Sequence, residues 1–399
     1  MDRSPDRTGV VSAAARIPRA IWALGFVSLL MDVSSELIHS LLPVFLVSAL
    51  GASATTVGLI EGAAEATALM VKVFSGALSD YWRKRKALAV FGYGLAAISK
   101  PLFALASSAT LVFSARIIDR IGKGVREAPR DALIADLTPS AVRGATFGLR
   151  QSLDTVGAFL GPALAIVLML AWAQDFRAVF WMAAIPAFLA VALLVVAVPE
   201  PAPPPGAAPL NPVSAQSLAR LGAAYWWVVG IGATLALARF SEAFLVLRAA
   251  QGGLPAALAP LVFIAMNVVY AATAYPFGKL ADKLPHERLL AWGLPPLVAG
   301  DAVLACSNHW GAVWLGVSLW GLHMGMTQGL LSAMVADAAP ADLRGTAYGF
   351  FNLASGVALL AGSVAAGMLW DSHGAATTFV AGGVLAALAL GAILLRRAV

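Results

Sequence analysis

The 399 residues are 60% hydrophobic and 12% charged, with a mean hydropathy of +0.82, whereas soluble domains carry about 25% charged residues. One hydrophobic core cannot absorb so much apolar surface, but a bilayer can, so soluble architectures are excluded. The net charge of +6, which in a soluble chain would point to nucleic acid, reads here as basic loops at a membrane surface, and no nucleic-acid partner is expected.

Each crossing takes about 20 apolar residues, so about twelve spans with short loops consume the chain. Lipid offers no hydrogen bonds to the backbone, which leaves helices or a closed barrel. The apolar runs are long and lack the in–out alternation of barrel strands, so they are helices. Spans are predicted at 20–48, 55–79, 87–106, 110–134, 145–170 and 177–198. A second set follows at 223–249, 257–281, 288–306, 311–336, 346–369 and 376–395. The first apolar stretch, from Ile21, carries Asp32 and Glu36 and lacks a small-residue cleavage site, which predicts a span rather than a removable signal. Between the sets, Pro201, Pro203, Pro204, Pro205 and Pro209 forbid a membrane helix and predict an extended linker. The expected organisation is a six-helix bundle over 1–198, a linker over 199–217 and a second six-helix bundle over 218–399.

Basic residues assign the sides. Arg3, Arg7, Arg16, Arg19, the run Arg83 to Lys86, Arg126, Arg130, Arg143, Arg220, Lys279, Lys283, Arg288, Arg344, Arg396 and Arg397 gather on one side. The other side has Arg177 and Arg248. Both termini are therefore expected in the cytoplasm, with a bacterial inner membrane as the expected location.

The chain also repeats itself. Asp136-Leu-Thr-Pro139-Ser-Ala-Val-Arg143-Gly144-Ala-Thr-Phe147-Gly148 returns as Asp337-Ala-Ala-Pro340-Ala-Asp-Leu-Arg344-Gly345-Thr-Ala-Tyr348-Gly349, about 200 residues later. Gly76-Ala-Leu78-Ser-Asp80 returns as Gly278-Lys-Leu280-Ala-Asp282 at nearly the same offset. A duplicated six-helix unit places a binding site between the halves near the bilayer midplane.

These loops resemble the major facilitator superfamily across the whole chain. Its loop signature, G-x-L-x-D followed by a basic cluster, is matched by Gly76, Leu78, Asp80, Lys84 and Arg85, with Arg83 at the usual second glycine. In the second copy Gly278, Leu280 and Asp282 match, while Pro285, His286 and Glu287 depart. The resemblance implies a cytoplasmic gate. Asp80 would sit at the amino end of the eleventh helix near Gly345, and Asp282 at the fifth near Gly144, where unpaired N–H groups favour an anion. Arg143 and Arg344 belong to the same gate, and the basic run doubles as a topology anchor. In the fourth span Arg116, Gly122 and Gly124 match many drug-exporting members, whereas Asp119, Arg120 and Lys123 depart from them. Gly157-Ala-Phe-Leu-Gly161-Pro162 in the fifth span resembles the start of the antiporter signature, although its later glycines are replaced by Ala165 and Ile166. Close helix contact explains those glycines equally well.

Ionisable residues at membrane depth are the densest functional signal. Asp32, Glu36, Glu61, Glu65, Asp119 and Asp154 would together cost on the order of 15–20 kcal/mol if unpaired. Lys72, Lys100, Arg116, Arg120, Lys123 and Arg150 stand at similar depth, so a paired network around a hydrated cavity is expected. Asp32, Glu36 and His39 share one face of the first helix. Arg150 and Asp154, four apart, are expected to satisfy each other. Asp32 or Glu36 is the first candidate for carrying a coupling proton, and Arg116 or Arg120 for holding an anionic group. Static interhelical salt bridges are the competing reading. His39 and His323 are expected to line the cavity or the core rather than bind metal.

In the second half Arg239 and Glu242 are expected to line the substrate cavity and to neutralise each other. Asn267, Tyr270, Tyr275, Gln328 and Asn352 suit substrate contact, with Met324, Met326, Trp320 and Phe351 as a candidate apolar wall. No nucleotide, metal or hydrolase motif is present, and Cys306 is the single cysteine. No enzyme activity and no cofactor are expected. The expectation is a proton-coupled secondary transporter, an efflux antiporter before an uptake symporter, moving a small molecule by alternating access. A membrane-embedded enzyme or sensor is the remote alternative. A monomer suffices for this mechanism.

Overall fold

The computed structural model describes residues 17–82, 84–139, 142–200, 220–281, 283–306, 309–327, 329–340 and 343–398, with Ala77, Asp80, Arg397 and Ala398 described by backbone alone. The Pro-rich linker lies outside the described residues, as do Asp282, Gln328 and Arg83. All regular structure among the described residues is helical.

Among the described residues twelve helices follow one another. The first half contains α1 (Arg19–His39, resuming at Leu42–Val44 and a π turn Phe45–Ala49), α2 (Ala54–Trp82) and α3 (Arg85–Leu105). It continues with α4 (Ala109–Leu137), α5 (Arg143–Ala171) and α6 (Phe176–Ala197). The second half contains α7 (Ala223–Ala238, resuming at Ala243–Gln251), α8 (Leu261–Ala281) and α9 (His286–Cys306). It ends with α10 (Trp310–Thr327, resuming at Leu330–Ala338), α11 (Arg344–His373) and α12 (Ala375–Ala398).

Local chemistry sets the ends. Ser108 caps α4, and the Asp175 carboxylate accepts from the amides of Arg177 and Ala178 at 3.0 and 3.1 Å to start α6. Gly329, at φ +81°, interrupts α10, a conformation that side chains with a Cβ rarely adopt. Among the described residues nine helices are long and apolar enough to cross a membrane. The three that fall short are α2, α4 and α10. Of these, α2 and α4 carry most of the charges at membrane depth, so they persist in lipid only by facing inward.

The two halves repeat one packing scheme. In the first, α1 packs on α5 and α6, α3 on α4 and α6, and α2 on α4. In the second, α7 packs on α11 and α12, α9 on α10 and α12, and α8 on α10. Detail survives too. Arg143 donates to the Ala135 carbonyl at 3.3 Å, and Arg344 donates to the Ala336 carbonyl at 3.2 Å. Each arginine of the repeated motif thus closes its own loop.

One buried apolar cluster, containing Leu42, Phe45, Val57, Phe244, Leu247 and Phe263, is shared by both halves at the end of the bundle remote from the termini. At the terminal end the cores are separate: Ile21, Tyr93 and Leu194 belong to one, Tyr225, Leu290 and Phe351 to the other. The halves therefore share one core at the distal end and keep separate cores at the terminal end, where α2 and α11 still touch at Val73 and Gly349. Small residues let α2 run against α11: a Cβ on Gly356 would lie 3.3 Å from the Ala66 Cα, and Gly62 faces Leu360.

A latch completes the distal closure. Asp371 at the end of α11 accepts from the amides of Ala54 and Thr55 at 3.0 and 2.9 Å and from the Thr55 hydroxyl at 2.6 Å. It caps a helix of the other half. Beside it lies a cavity of about 410 Å³ lined by Val44, Ser48, Leu247, Gln251, Trp370 and Asp371. Asp371→Ala should cost the closed state about 1 kcal/mol, the worth of one cap. In a Cys306→Ser background, maleimide labelling of Ser48→Cys from the distal side should then rise about five-fold. Unchanged labelling would show that the latch does not hold the closure.

Candidate functional site

The site is built from charges that α1, α2, α3 and α4 bring together in the first half. Glu61 on α2 and Arg116 on α4 are 1% and 2% exposed and meet at 2.6 Å. His39 on α1 reaches Glu61 at 3.4 Å through Nε2 and Glu36 at 3.5 Å through Nδ1. Lys100 on α3 pairs with Asp119 at 2.7 Å and donates to the Ser35 hydroxyl at 3.0 Å. Arg120 pairs with Glu65 at 3.0 Å. Four helices are thereby joined by charge in a region where each isolated charge would cost about 2.5–3.5 kcal/mol.

A second layer lies nearer the terminal end. Lys72 pairs with Glu127 at 2.8 Å, and Arg150 with Asp154 at 2.5 Å. Arg130 pairs with Asp131 at 3.1 Å and donates to the Ser28 hydroxyl at 3.3 Å. Arg126 stands 4.8 Å over the Tyr93 ring. Arg126 and Arg130 are buried inside α4, a correction to their reading as loop residues that orient the chain. The helix runs on to Leu137, so both face the bundle.

Asp32 and Lys123 stand apart from these pairs, as does Arg126 except for the Tyr93 ring. Asp32 and Lys123 have no hydrogen bond or ion pair among the described residues. Asp32 lies within electrostatic reach of Asp154, Arg126, Arg130 and Lys123. The glycines of the fifth span explain its setting. A Cβ on Gly157 would fall 2.9 Å from the Asp32 Cβ, and one on Gly161 2.9 Å from the Val33 carbonyl. These glycines seat α5 directly on α1.

In the second half, Arg239 and Glu242 do not neutralise each other: no ion pair joins them among the described residues. The reason is the backbone. The helix ends at Ala238 and resumes at Ala243, so the expected helical spacing does not exist. Asn267, Tyr270 and Asn352 are half-buried, while Tyr275 is exposed under the Lys279 ammonium at 4.6 Å. Trp320 is no cavity wall, since it is buried and donates to Asp301 at 2.9 Å. His323 is buried in the core with its Nδ1 2.7 Å from the Gly293 carbonyl.

The gate residues fall into two groups. The side chain of Asp80 and all of Asp282 lie outside the described residues. Arg85 pairs with Asp136 at 2.6 Å and donates to the Ala132 carbonyl at 3.1 Å, so it braces α3 against α4 within one half. Lys84 is exposed, and Gly76 sits half-buried near Ala128. A Cβ on Gly278 would meet nothing within 4 Å.

Sequence reasoning passed over Asp301 and Asp371. Asp301 is 0% exposed, with one carboxylate oxygen accepting from Trp320 and the other without a partner. Its signal was plain, a single acid inside an otherwise apolar ninth span. Asp301 and Trp320 occupy the places of Lys100 and Asp119 in the repeat, so a polar tie recurs there with different chemistry. Among the described residues no cluster of His, Cys, Asp and Glu could hold a metal ion.

Comparison with known proteins agrees with this architecture. The Major Facilitator Superfamily model matches residues 24–247 and 253–399. The chain belongs to the Major Facilitator Superfamily. An uncharacterised MFS-type transporter of Methanocaldococcus jannaschii is 32% identical over 381 residues, 93% of each chain. The quinolone resistance protein NorA of Staphylococcus aureus is 27% identical over 146 residues, 37% of each. Among solved structures, the nucleoside transporter NupG superposes with a TM-score of 0.80 at 11% identity, over 94% of this chain and 99% of that one. This facilitator-superfamily chain is a transporter and an integral membrane protein, not an enzyme.

Breaking the buried Glu61–Arg116 pair should be costly because it strands a charge. Arg116→Leu is expected to lose about 3–5 kcal/mol, and adding Glu61→Gln should recover most of it. Thermal melting of the purified variants in detergent checks this. Equal losses in the single and double variants would mean that the pair is not a unit.

Proposed function

We propose that the protein is a proton-coupled antiporter that exports a small molecule by alternating access. The observation that carries this is Asp32. Among the described carboxylates at membrane depth in the first half, it has no hydrogen bond or ion pair. Paired carboxylates are committed to their bases, whereas one without a hydrogen bond or ion pair is free to bind and release a proton. Its charged form is attracted by Arg126, Arg130 and Lys123 and repelled by Asp154, so proton exchange changes the force between α1 and its neighbours α4 and α5.

Alternating access follows from the core. One shared apolar cluster at the distal end and two separate ones at the terminal end describe one side of a rocking cycle. The concentration of Lys and Arg at the terminal end supports cytoplasmic termini in a bacterial inner membrane. Export is supported by the local likeness to a quinolone resistance protein. The Asp80, Lys84, Arg85 and Asp282 loops are assigned to the cytoplasmic gate, and one chain is a complete unit.

Proteoliposomes test this with a fluorescent quinolone as probe. Accumulation in vesicles that are acid inside is expected, since protons leaving drive the probe in. Accumulation only in vesicles that are acid outside would establish uptake symport and overturn export. Asp32→Asn should cut gradient-driven accumulation about ten-fold or more while leaving exchange without a gradient within about two-fold. Full gradient-driven accumulation by Asp32→Asn would remove it as the proton carrier.

A further inference from the structure

The break in α7 falls where the repeat places the break in α1, so Arg239 stands where His39 stands in the first half. His39 has two carboxylate partners, Glu36 and Glu61. Arg239 and Glu242 have no hydrogen bond or ion pair with any described residue, nor with each other. The turn between them is fixed rather than loose. The Ser241 amide donates to the Ser363 hydroxyl at 3.0 Å, and the helix resumes at Ala243. Both side chains are half-buried. Glu242 lies within electrostatic reach of His39, Glu36 and Glu65 of the first half, and Arg239 within reach of His323 on α10.

We infer that Arg239 and Glu242 form the two poles of a subsite for a zwitterion, a substrate carrying an ammonium and a carboxylate a few bonds apart. This rests on the transport reading above and names its substrate class. A substrate with a cation alone would leave Arg239 bare in a poorly solvated site, and an anion alone would leave Glu242 bare. A zwitterion satisfies both and enters with no net charge. Glu36 and Glu65, across from Glu242 on the first half, set the orientation with the ammonium toward that half. The carboxylate lies toward Arg239, whose planar guanidinium suits it.

The experiment measures binding without a gradient, so it is blind to coupling and direction. Purified full-length protein is mixed with leucine and with dileucine, each as the free zwitterion, the N-acetylated anion and the C-amidated cation, and melting temperature is followed. Only the zwitterions should stabilise the wild type. Arg239→Gln should bind amide and zwitterion equally, and Glu242→Gln should bind acetylated form and zwitterion equally. Arg239→Lys should keep the carboxylate preference, which separates a charge role from a folding defect. Loss of an approximately ten-fold preference is expected in each neutral variant. Stabilisation of the wild type by the amide or acetylated forms as strongly as by the zwitterions would overturn the class. Binding of none of the six, or preferences unmoved in both neutral variants, would overturn it too. The vesicle experiment decides the transport reading separately.

Discussion

Hydrocarbon cannot solvate a charge, and the rest of this structure depends on that constraint. Helices α2 and α4 are too polar to be stable as isolated spans, yet they cross the bilayer because Glu61 meets Arg116 and Glu65 meets Arg120 between them. The ion pairs are therefore more than contacts added to a finished bundle. They dictate which faces turn inward, and so which helices touch. Once α2 and α4 are joined, Lys100 on α3 and His39 on α1 find their partners on the same surface. Replacing a buried ion pair by apolar residues of similar volume often costs no stability. Retaining charge in the middle of a membrane needs a reason beyond stability.

The duplication supplies a comparison inside one chain. Helix packing, the arginine-closed loops and the breaks in α1 and α7 are shared by both halves. What differs is chemistry at equivalent places. Lys100 with Asp119 becomes Asp301 with Trp320, an ion pair replaced by an indole donating to a carboxylate. His39, held by two acids, becomes Arg239 beside an unattached Glu242. The backbone scheme tolerates these exchanges because each site needs only a donor facing an acceptor across a helix contact. The halves have diverged in charge while keeping one geometry.

Much of this was legible in the sequence, for physical reasons. The span number follows from composition, the halves from the repeated Asp-Pro-Arg-Gly loops, and the inward faces of α1 and α2 from helical spacing. Arg150 and Asp154 needed only their separation of four. The partners across helices were not legible, because spacing says which residues share a face but not which face lies opposite. Nothing in one sequence joins Glu61 to Arg116 rather than to Lys100. The Arg239–Glu242 expectation failed because it assumed continuous helix, and no proline or glycine announces the break at Phe240. Asp371 was invisible for another reason: a cap donated across the interface between halves has no local signature.

The distinction between satisfied and unsatisfied charges then separates scaffold from moving parts. A pair such as Lys100–Asp119, buried and closely hydrogen-bonded, would have to be pulled apart in hydrocarbon to change state, which costs several kcal/mol. Asp32, Arg239 and Glu242 face no such barrier, since each can take or lose a partner without breaking an existing bond. Asp32 lies at the contact of α1 with α5, and the other two at the break of α7, with Glu242 in electrostatic reach of the first half. A proton at the former and a substrate at the latter act on the two helices, α1 and α7, that meet in the distal core. Coupling then requires no long chain of relayed contacts. On this reading both ligands would bias one shared hinge, while the paired network of the first half holds α1 to α4 together.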